Sequence, residues 1–297
     1  MTDHPGLPVV DLSGWGADKL SIAEAVRAAC IDSGFFYVVG HGVPASLTDG
    51  IMSEARRLFA LPEPAKLAVA ASSPSGRGYA RMGGRNIRGD LLPAVKEEFF
   101  AGREPPVDEA AVNRWPADLP GFRETLQAYL IAMHGLAEQL MAAIALSLGL
   151  PEAYFADFCA EPIAALRLVR YPPEGAEAGI HTDYGALTLL LQDPIGGLQV
   201  FDRVTGGWIE ANPIAGSFVV NLGDLMERWT NKLYRSTPHR VVHRASVERV
   251  SAPFFFTGAA NYPVACLPPC RVPGERPAYM PTTPAAHLRE RSLAQGY

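Results

Sequence analysis

After Ala164 the chain breaks into short runs rich in Val, Leu, Ile, Thr and Phe, separated by turns containing Gly and Pro, and this pattern constrains the fold most strongly. Leu166 to Tyr171, Ala186 to Gln192, Leu198 to Phe201, Trp208 to Glu210, Ser217 to Asn221, Arg240 to His243 and Val250 to Thr257 all have strand length. Their spacing suits an all-β barrel, sandwich or jelly roll, and the pattern alone does not choose among them. The residues before this stretch are mixed. Val9 to Leu12 reads as a short strand, Ser21 to Ser33 as an amphipathic helix, Phe35 to Val39 as a buried strand closed by Gly40 and Gly42, and Ala45 to Phe59 as a second helix. The longest helical pattern runs from Gly121 to Leu148, with Leu126, Leu130, Met133, Ala137 and Leu140 three or four apart, and ends at Gly149 and Pro151. This helix is expected to back the sheet. The chain thus reads as one domain over 1–297, with a mixed helix and strand buttress at 1–160 and a β core at 161–297.

Within the β-rich part stands His181-Thr182-Asp183, and far downstream a second histidine, His239. Residues at i and i+2 of a strand point the same way, so His181 and Asp183 can reach one ion. Two imidazoles and a carboxylate on one face of a metal leave the opposite face open to oxygen and a substrate. Ten residues past His239 come Arg249 and Ser251, again an i, i+2 pair. A guanidinium fork beside a hydroxyl suits a carboxylate, which it can hold bidentately with a further hydrogen bond. Residues 72–93 carry Gly76, Gly78, Gly83, Gly84 and Gly89 among arginines and read as a long irregular loop of the kind that covers sites. Arg77, Tyr79, Arg81 and Arg85 from this loop, with Phe255, are the candidates for substrate contact, and the arginines point to an acidic small molecule.

Taken in order, these motifs resemble the iron(II)/2-oxoglutarate-dependent oxygenases of the isopenicillin N synthase-like group. The resemblance runs through Gly34 to Val43, Lys96-Glu97-Glu98-Phe99-Phe100, Arg170-Tyr171-Pro172-Pro173, His181 to Thr188, Gly196 to Val200, Val220 to Asp224, Ser236 to Val241 and Arg249-Val250-Ser251. It implies a double-stranded β-helix, a jelly-roll variant, giving a mainly β fold with supporting helices. It also implies Fe(II) on His181, Asp183 and His239, with 2-oxoglutarate held by Arg249, Ser251 and Tyr171. The reaction implied is a dioxygenation that consumes O2, releases succinate and CO2, and oxidises an unactivated C–H bond of a small molecule by hydroxylation, desaturation or ring formation; ascorbate is a possible stimulant. His243 competes for the distal position, but His239 follows Ser236-Thr237-Pro238 and lies at the family's distance from Arg249, so His239 is preferred. His41, in a Gly-His-Gly turn, and His134, in the long helix, are read as structural. Relatives also include oxidases that need no 2-oxoglutarate, such as isopenicillin N synthase and aminocyclopropane-carboxylate oxidase, and ethylene-forming enzymes. From a different class, a non-catalytic jelly-roll binding protein is disfavoured, because a structural metal site is normally closed by a fourth protein ligand.

Composition sets the remaining bounds. The 297 residues are 48% hydrophobic, enough to bury a large core, and the net charge of −5 offers no broad basic surface for nucleic acid or an anionic membrane. No apolar run of bilayer-spanning length and no secretory leader is evident. Cys30, Cys159, Cys266 and Cys270 are too scattered for a disulfide framework, so a cytoplasmic location is expected.

Overall fold

The computed structural model describes residues 6–71, 76–82, 96–104, 112–173 and 176–294. The N-terminal part opens with β1 (Val9–Asp11), α1 (Lys19–Asp32), β2 (Phe35–Val39), α2 (Ala45–Phe59) and α3 (Glu63–Leu67). It continues with β3 (Gly78–Met82), β4 (Lys96–Ala101), α4 (Phe122–Ser147) and α5 (Ala156–Ala160). The C-terminal part supplies β5 (Pro162–Tyr171), β6 (Ala176–His181), β7 (Leu187–Gln192), β8 (Leu198–Phe201), β9 (Trp208–Glu210) and β10 (Phe218–Leu222). It ends with α6 (Asp224–Trp229), β11 (His239–His243), β12 (Arg249–Ala259) and α7 (Pro284–Ala294).

Two sheets form a jelly roll. The larger has eight strands in the order β1-β2-β10-β7-β12-β5-β4-β3, and the smaller has four in the order β6-β11-β8-β9. The larger sheet extends beyond the strands expected from sequence, because β1 and β2 add to one edge and β3 and β4 to the other. The change of pattern near residue 160 is therefore no break in the structure. Residues 78–82, expected as loop, form β3 through antiparallel pairing with β4, a long-range partner that local sequence does not announce.

Strand alternation separates two cores. Leu187, Leu189, Phe254, Phe256, Leu166 and Leu168 face outward with Phe218 and Val220 toward the helices, while Phe35, Tyr37, Val169, Tyr171 and Val219 face inward toward Leu198, Val200 and Val241 of the smaller sheet. Each fully buried Leu or Phe contributes about 1.5–3 kcal/mol over its exposed state. The outward core is capped by α4, which packs against α1, α2, β12 and β7. Glycine in the left-handed region bounds this helix at both ends, Gly121 at φ 83° and Gly149 at φ 71°. Contrary to the sequence expectation, α4 is long and apolar enough to cross a membrane, yet 61% of its most apolar window is buried within the protein. Its hydrophobicity therefore serves the fold.

Candidate active site

His181 is the last residue of β6 and pairs directly with His239, the first residue of β11. Asp183 lies past the strand end, in the turn that leads to β7. The strand-face rationale for His181 and Asp183 is thus replaced by a turn that swings the carboxylate back toward both imidazoles. Ligand atoms of the three lie within 4.8 Å of one another. Asp183 Oδ1 stands 3.9 Å from His181 Nε2 and 3.8 Å from His239 Nε2.

The remaining polar atoms of the trio are engaged elsewhere. Asp183 Oδ2 accepts hydrogen bonds from Thr188 Oγ1 at 2.6 Å and Asn221 Nδ2 at 2.8 Å, two donors that face each other across β7 and β10. His181 Nδ1 lies 2.8 Å from the Gly179 carbonyl and His239 Nδ1 lies 3.2 Å from that of Thr237. A carbonyl only accepts, so each Nδ1 carries the proton and each Nε2 lone pair is turned to the common centre. Burial holds the His181 imidazole below its ordinary pKa, with the adjacent His239 ring acting in the same direction. For Asp183, burial pulls upward, but the neighbouring His239 and His181 rings and the two hydrogen bonds outweigh it and keep the carboxyl below its usual range. A neutral imidazole and an ionised carboxylate are the forms that bind metal. Two nitrogens and one oxygen, with no fourth protein ligand among the described residues, fit a catalytic iron.

The turn itself is braced. Asp224 N donates to the Asp183 carbonyl at 2.7 Å, and a Cβ at Gly223 would meet the Gly185 carbonyl at 2.2 Å, so only glycine permits this approach. From α7, Arg291 pairs with Asp224 at 2.9 Å, reaches Thr182 Oγ1 at 3.4 Å and covers the Tyr184 ring at 5.1 Å. Thr188, Asn221 and Arg291 were missed as positioning residues. Thr188 and Asn221 lie within the His181-to-Thr188 and Val220-to-Asp224 motifs, which do not by themselves reveal this role, and Arg291 belongs to no motif.

Deeper between the sheets, Arg249 is 1% exposed. Its Nε donates to the Gly196 carbonyl at 2.6 Å, Nη1 to Ser251 Oγ at 3.2 Å and Nη2 to Gln192 Oε1 at 3.5 Å, while its plane lies 5.1 Å from the Tyr171 ring centroid. Each of those acceptors is uncharged. Burial lowers the Arg249 pKa, and a guanidinium so placed is stabilised by an anionic ligand. Arg249, Ser251 and Tyr171 share the inward face, since Arg249 pairs with Tyr171 in the β12–β5 register.

The substrate candidates divide. Phe255 sits on the inward face opposite Thr188. Arg77, Tyr79 and Arg81 do not join it, and the reason is parity: Tyr79 and Arg81 pair with Phe99 and Glu97, which the sheet turns away from the site. Arg77 donates to the Ala101 and Ala164 carbonyls at 3.0 and 3.1 Å, Tyr79 donates to Glu97, and Arg81 pairs with Glu63. Arg85 lies outside the described residues. The inward parity instead presents Lys96, Glu98 and Phe100 of β4 and Arg167 of β5. Lys96, Glu98 and Phe100 belong to the Lys-Glu-Glu-Phe-Phe motif, whose sequence does not say which face it presents, and Arg167 belongs to no motif. His243 bonds the Val247 carbonyl at 2.8 Å, His41 the Gly216 carbonyl at 3.1 Å and His134 the Cys159 carbonyl at 2.9 Å, so each has a structural partner.

A jelly roll with an open two-histidine, one-carboxylate centre beside a buried arginine defines a class of non-haem iron oxygenases. Residues 7–118 match the family described as non-haem dioxygenase in morphine synthesis N-terminal, and residues 162–258 match the 2OG-Fe(II) oxygenase superfamily. The chain is 37% identical to the 2-oxoglutarate-Fe(II) type oxidoreductase hxnY of Emericella nidulans, over 93% of this chain and 86% of that one. It is also 37% identical to the 2-oxoglutarate-dependent dioxygenase citB of Monascus ruber, over 86% of each. Among solved structures, a full-length Neurospora crassa protein in complex with alpha-KG and thymine superposes with a TM-score of 0.89 at 28% identity, over 99% of this chain and 98% of that one. The chain belongs to the 2OG-Fe(II) oxygenase superfamily, in its isopenicillin N synthase-like group. It is a non-haem iron dioxygenase whose cofactors are Fe(II) and 2-oxoglutarate.

Proposed function

We propose that this dioxygenase oxidises an unactivated C–H bond of a small molecule, with hydroxylation as the default outcome and succinate and CO2 as the other products. The observation that carries the reading is the convergence of His181, Asp183 and His239 beside the buried, inward-facing Arg249. In this reading the trio holds Fe(II), and Arg249 and Ser251 hold the far carboxylate of 2-oxoglutarate against Tyr171. Iron with its cosubstrate supplies the O2 activation that no side chain can perform. The chain's own residues do the rest. Thr188 and Asn221 orient the Asp183 carboxylate, and the Gly179 and Thr237 carbonyls fix both imidazole tautomers. Phe255 and the inward apolar core would line the reacting region and limit its access to water.

The thymine bound by the Neurospora relative supports a compact, polar small molecule as the substrate class. Names of relatives that specify 2-oxoglutarate weigh against an oxidase that dispenses with it. The four free, buried cysteines support a reducing, cytoplasmic location. The test is anaerobic addition of 2-oxoglutarate to the Fe(II)-loaded protein. A visible charge-transfer band in the wild type that is absent from Asp183→Ala supports the reading, and iron binding without the band overturns it.

A further inference from the structure

A cavity of about 460 Å³ opens beside the metal turn, walled by Thr182 from between His181 and Asp183 and by Pro238 from just before His239. None of Arg249, Ser251 and Tyr171 lines it. Five basic side chains, Arg203, Arg228, Lys232, Arg235 and Arg291, face three acidic ones, Asp224, Glu227 and Glu290. A chain whose net charge is −5 thus gathers an excess of cations here.

Folding occupies the acids but not all of the bases. Asp224 pairs with Arg291 at 2.9 Å and accepts from Ser236 Oγ at 2.6 Å, and Glu290 stands 3.7 Å from Arg228. Glu227 accepts from the Tyr279 hydroxyl at 2.8 Å and from Ser236 N at 3.0 Å. Arg203 donates to the Ser236 carbonyl at 3.0 Å and Lys232 lies 5.6 Å from the Tyr279 ring centroid, but neither forms an ion pair among the described residues. The Arg235 side chain has neither a hydrogen bond nor an ion pair among them. Lys232 has φ 70° and follows Asn231 at φ 52°, and these two are the only non-glycine residues in the left-handed region among those described. That conformation is unfavourable for a lysine, and the turn that imposes it sets Lys232 on the cavity wall. His287 of α7, 1% exposed, lines the same cavity, and neither of its ring nitrogens has a partner among the described residues. Cations left without counter-charge around a partly enclosed space are stabilised by an anion.

We infer that this cavity is a second anion site, which takes the carboxylate or phosphate group of a small organic molecule on Lys232, Arg235 and Arg203. A volume of about 460 Å³ is within the range of small-molecule sites and exceeds what an inorganic anion fills. The anion belongs either to the substrate or to a separate effector seated against the metal turn, and the recognition chemistry is the same for both. The site is distinct from the Arg249 pocket and goes beyond the dioxygenase reading.

The test titrates benzoate, sulfate and neutral benzamide into the anaerobic Fe(II) and 2-oxoglutarate complex of the full chain, followed by calorimetry at constant ionic strength. Both anions are expected to bind saturably and benzamide is not. Lys232→Gln and Arg235→Gln should each weaken the anions about tenfold or more, the size of one hydrogen bond to a charged group, with the thermal midpoint kept. Arg289→Gln removes an exposed cation of α7 that does not line the cavity, and it should leave both affinities within about twofold. Benzoate that competes with sulfate and perturbs the charge-transfer band assigns the site to the substrate's acid group; competition with the band unmoved assigns it to an effector. Sulfate binding without benzoate binding overturns the organic ligand. Absence of saturable binding by either anion overturns the site itself, as do unchanged affinities in Lys232→Gln and Arg235→Gln or an equal loss in Arg289→Gln. These comparisons hold whether or not the band forms, so the anion site and the dioxygenase reading fail separately.

Discussion

Replacing Thr188 with Val keeps the shape of the side chain and removes one hydroxyl, the one that donates to Asp183 Oδ2 at 2.6 Å. Asp183 is 8% exposed, so water cannot readily take over the lost bond, and Asn221 Nδ2 at 2.8 Å becomes its remaining side-chain donor on that oxygen. A hydrogen bond to a buried charged group contributes about 1.5–3 kcal/mol. Because the bond orients the ligand oxygen, that energy should appear in metal affinity as a loss of roughly ten- to a hundredfold. Asn221→Leu should behave alike. The double variant should lose more than the sum, since it strips both side-chain donors from a buried carboxylate oxygen. Anaerobic Fe(II) titration against a competing chelator gives the number, and the thermal midpoint of the metal-free protein checks that the fold is kept. Fe(II) affinity within about threefold of wild type in both single variants would refute the claim that these residues act through Asp183.

Arg249→Met keeps much of the side-chain volume but removes the guanidinium, and 2-oxoglutarate affinity should fall by about 2–4 kcal/mol, with Fe(II) binding retained; titration of the charge-transfer band reads both. For Glu97, burial pushes the carboxyl upward, but hydrogen bonds from Lys66, Tyr79 and Arg170 outweigh it and hold it below the ordinary 4.5. A depressed folded pKa stabilises the protein above the unfolded value and loses that effect as pH falls through the folded one. Glu97→Gln should therefore cost about 1–3 kcal/mol near neutral pH in urea unfolding, and the gap to wild type should close on acidification below the ordinary value; a widening gap would contradict the sign. Gly258 has φ 91°, and a Cβ there would meet the Phe158 ring at 2.0 Å. Gly258→Ala should lower stability by about 2–4 kcal/mol in thermal unfolding, and an unchanged midpoint would count against the close approach.

The sequence by itself determined the chemistry of the centre and the class of fold. His181, Asp183, His239, Arg249 and Ser251 carry donor types and spacings legible without coordinates, and periodicity located the long helix, expected over 121–148 and found at Phe122–Ser147. Tertiary structure decided which face each residue presents. Tyr79 and Arg81 looked suited to substrate because charge and aromaticity are local properties, but β3 pairs with β4 in a register that turns them toward the helices and turns Glu98 inward. A single-residue shift in register would exchange those faces, and that register is set by long-range pairing with β5 rather than by the residues of β3. Arg291 likewise acquires its place beside Thr182 and Asp224 only when α7 packs against the turn. Ligand identity is written in single residues, whereas the pocket that selects a substrate is written in pairings between strands far apart in the chain.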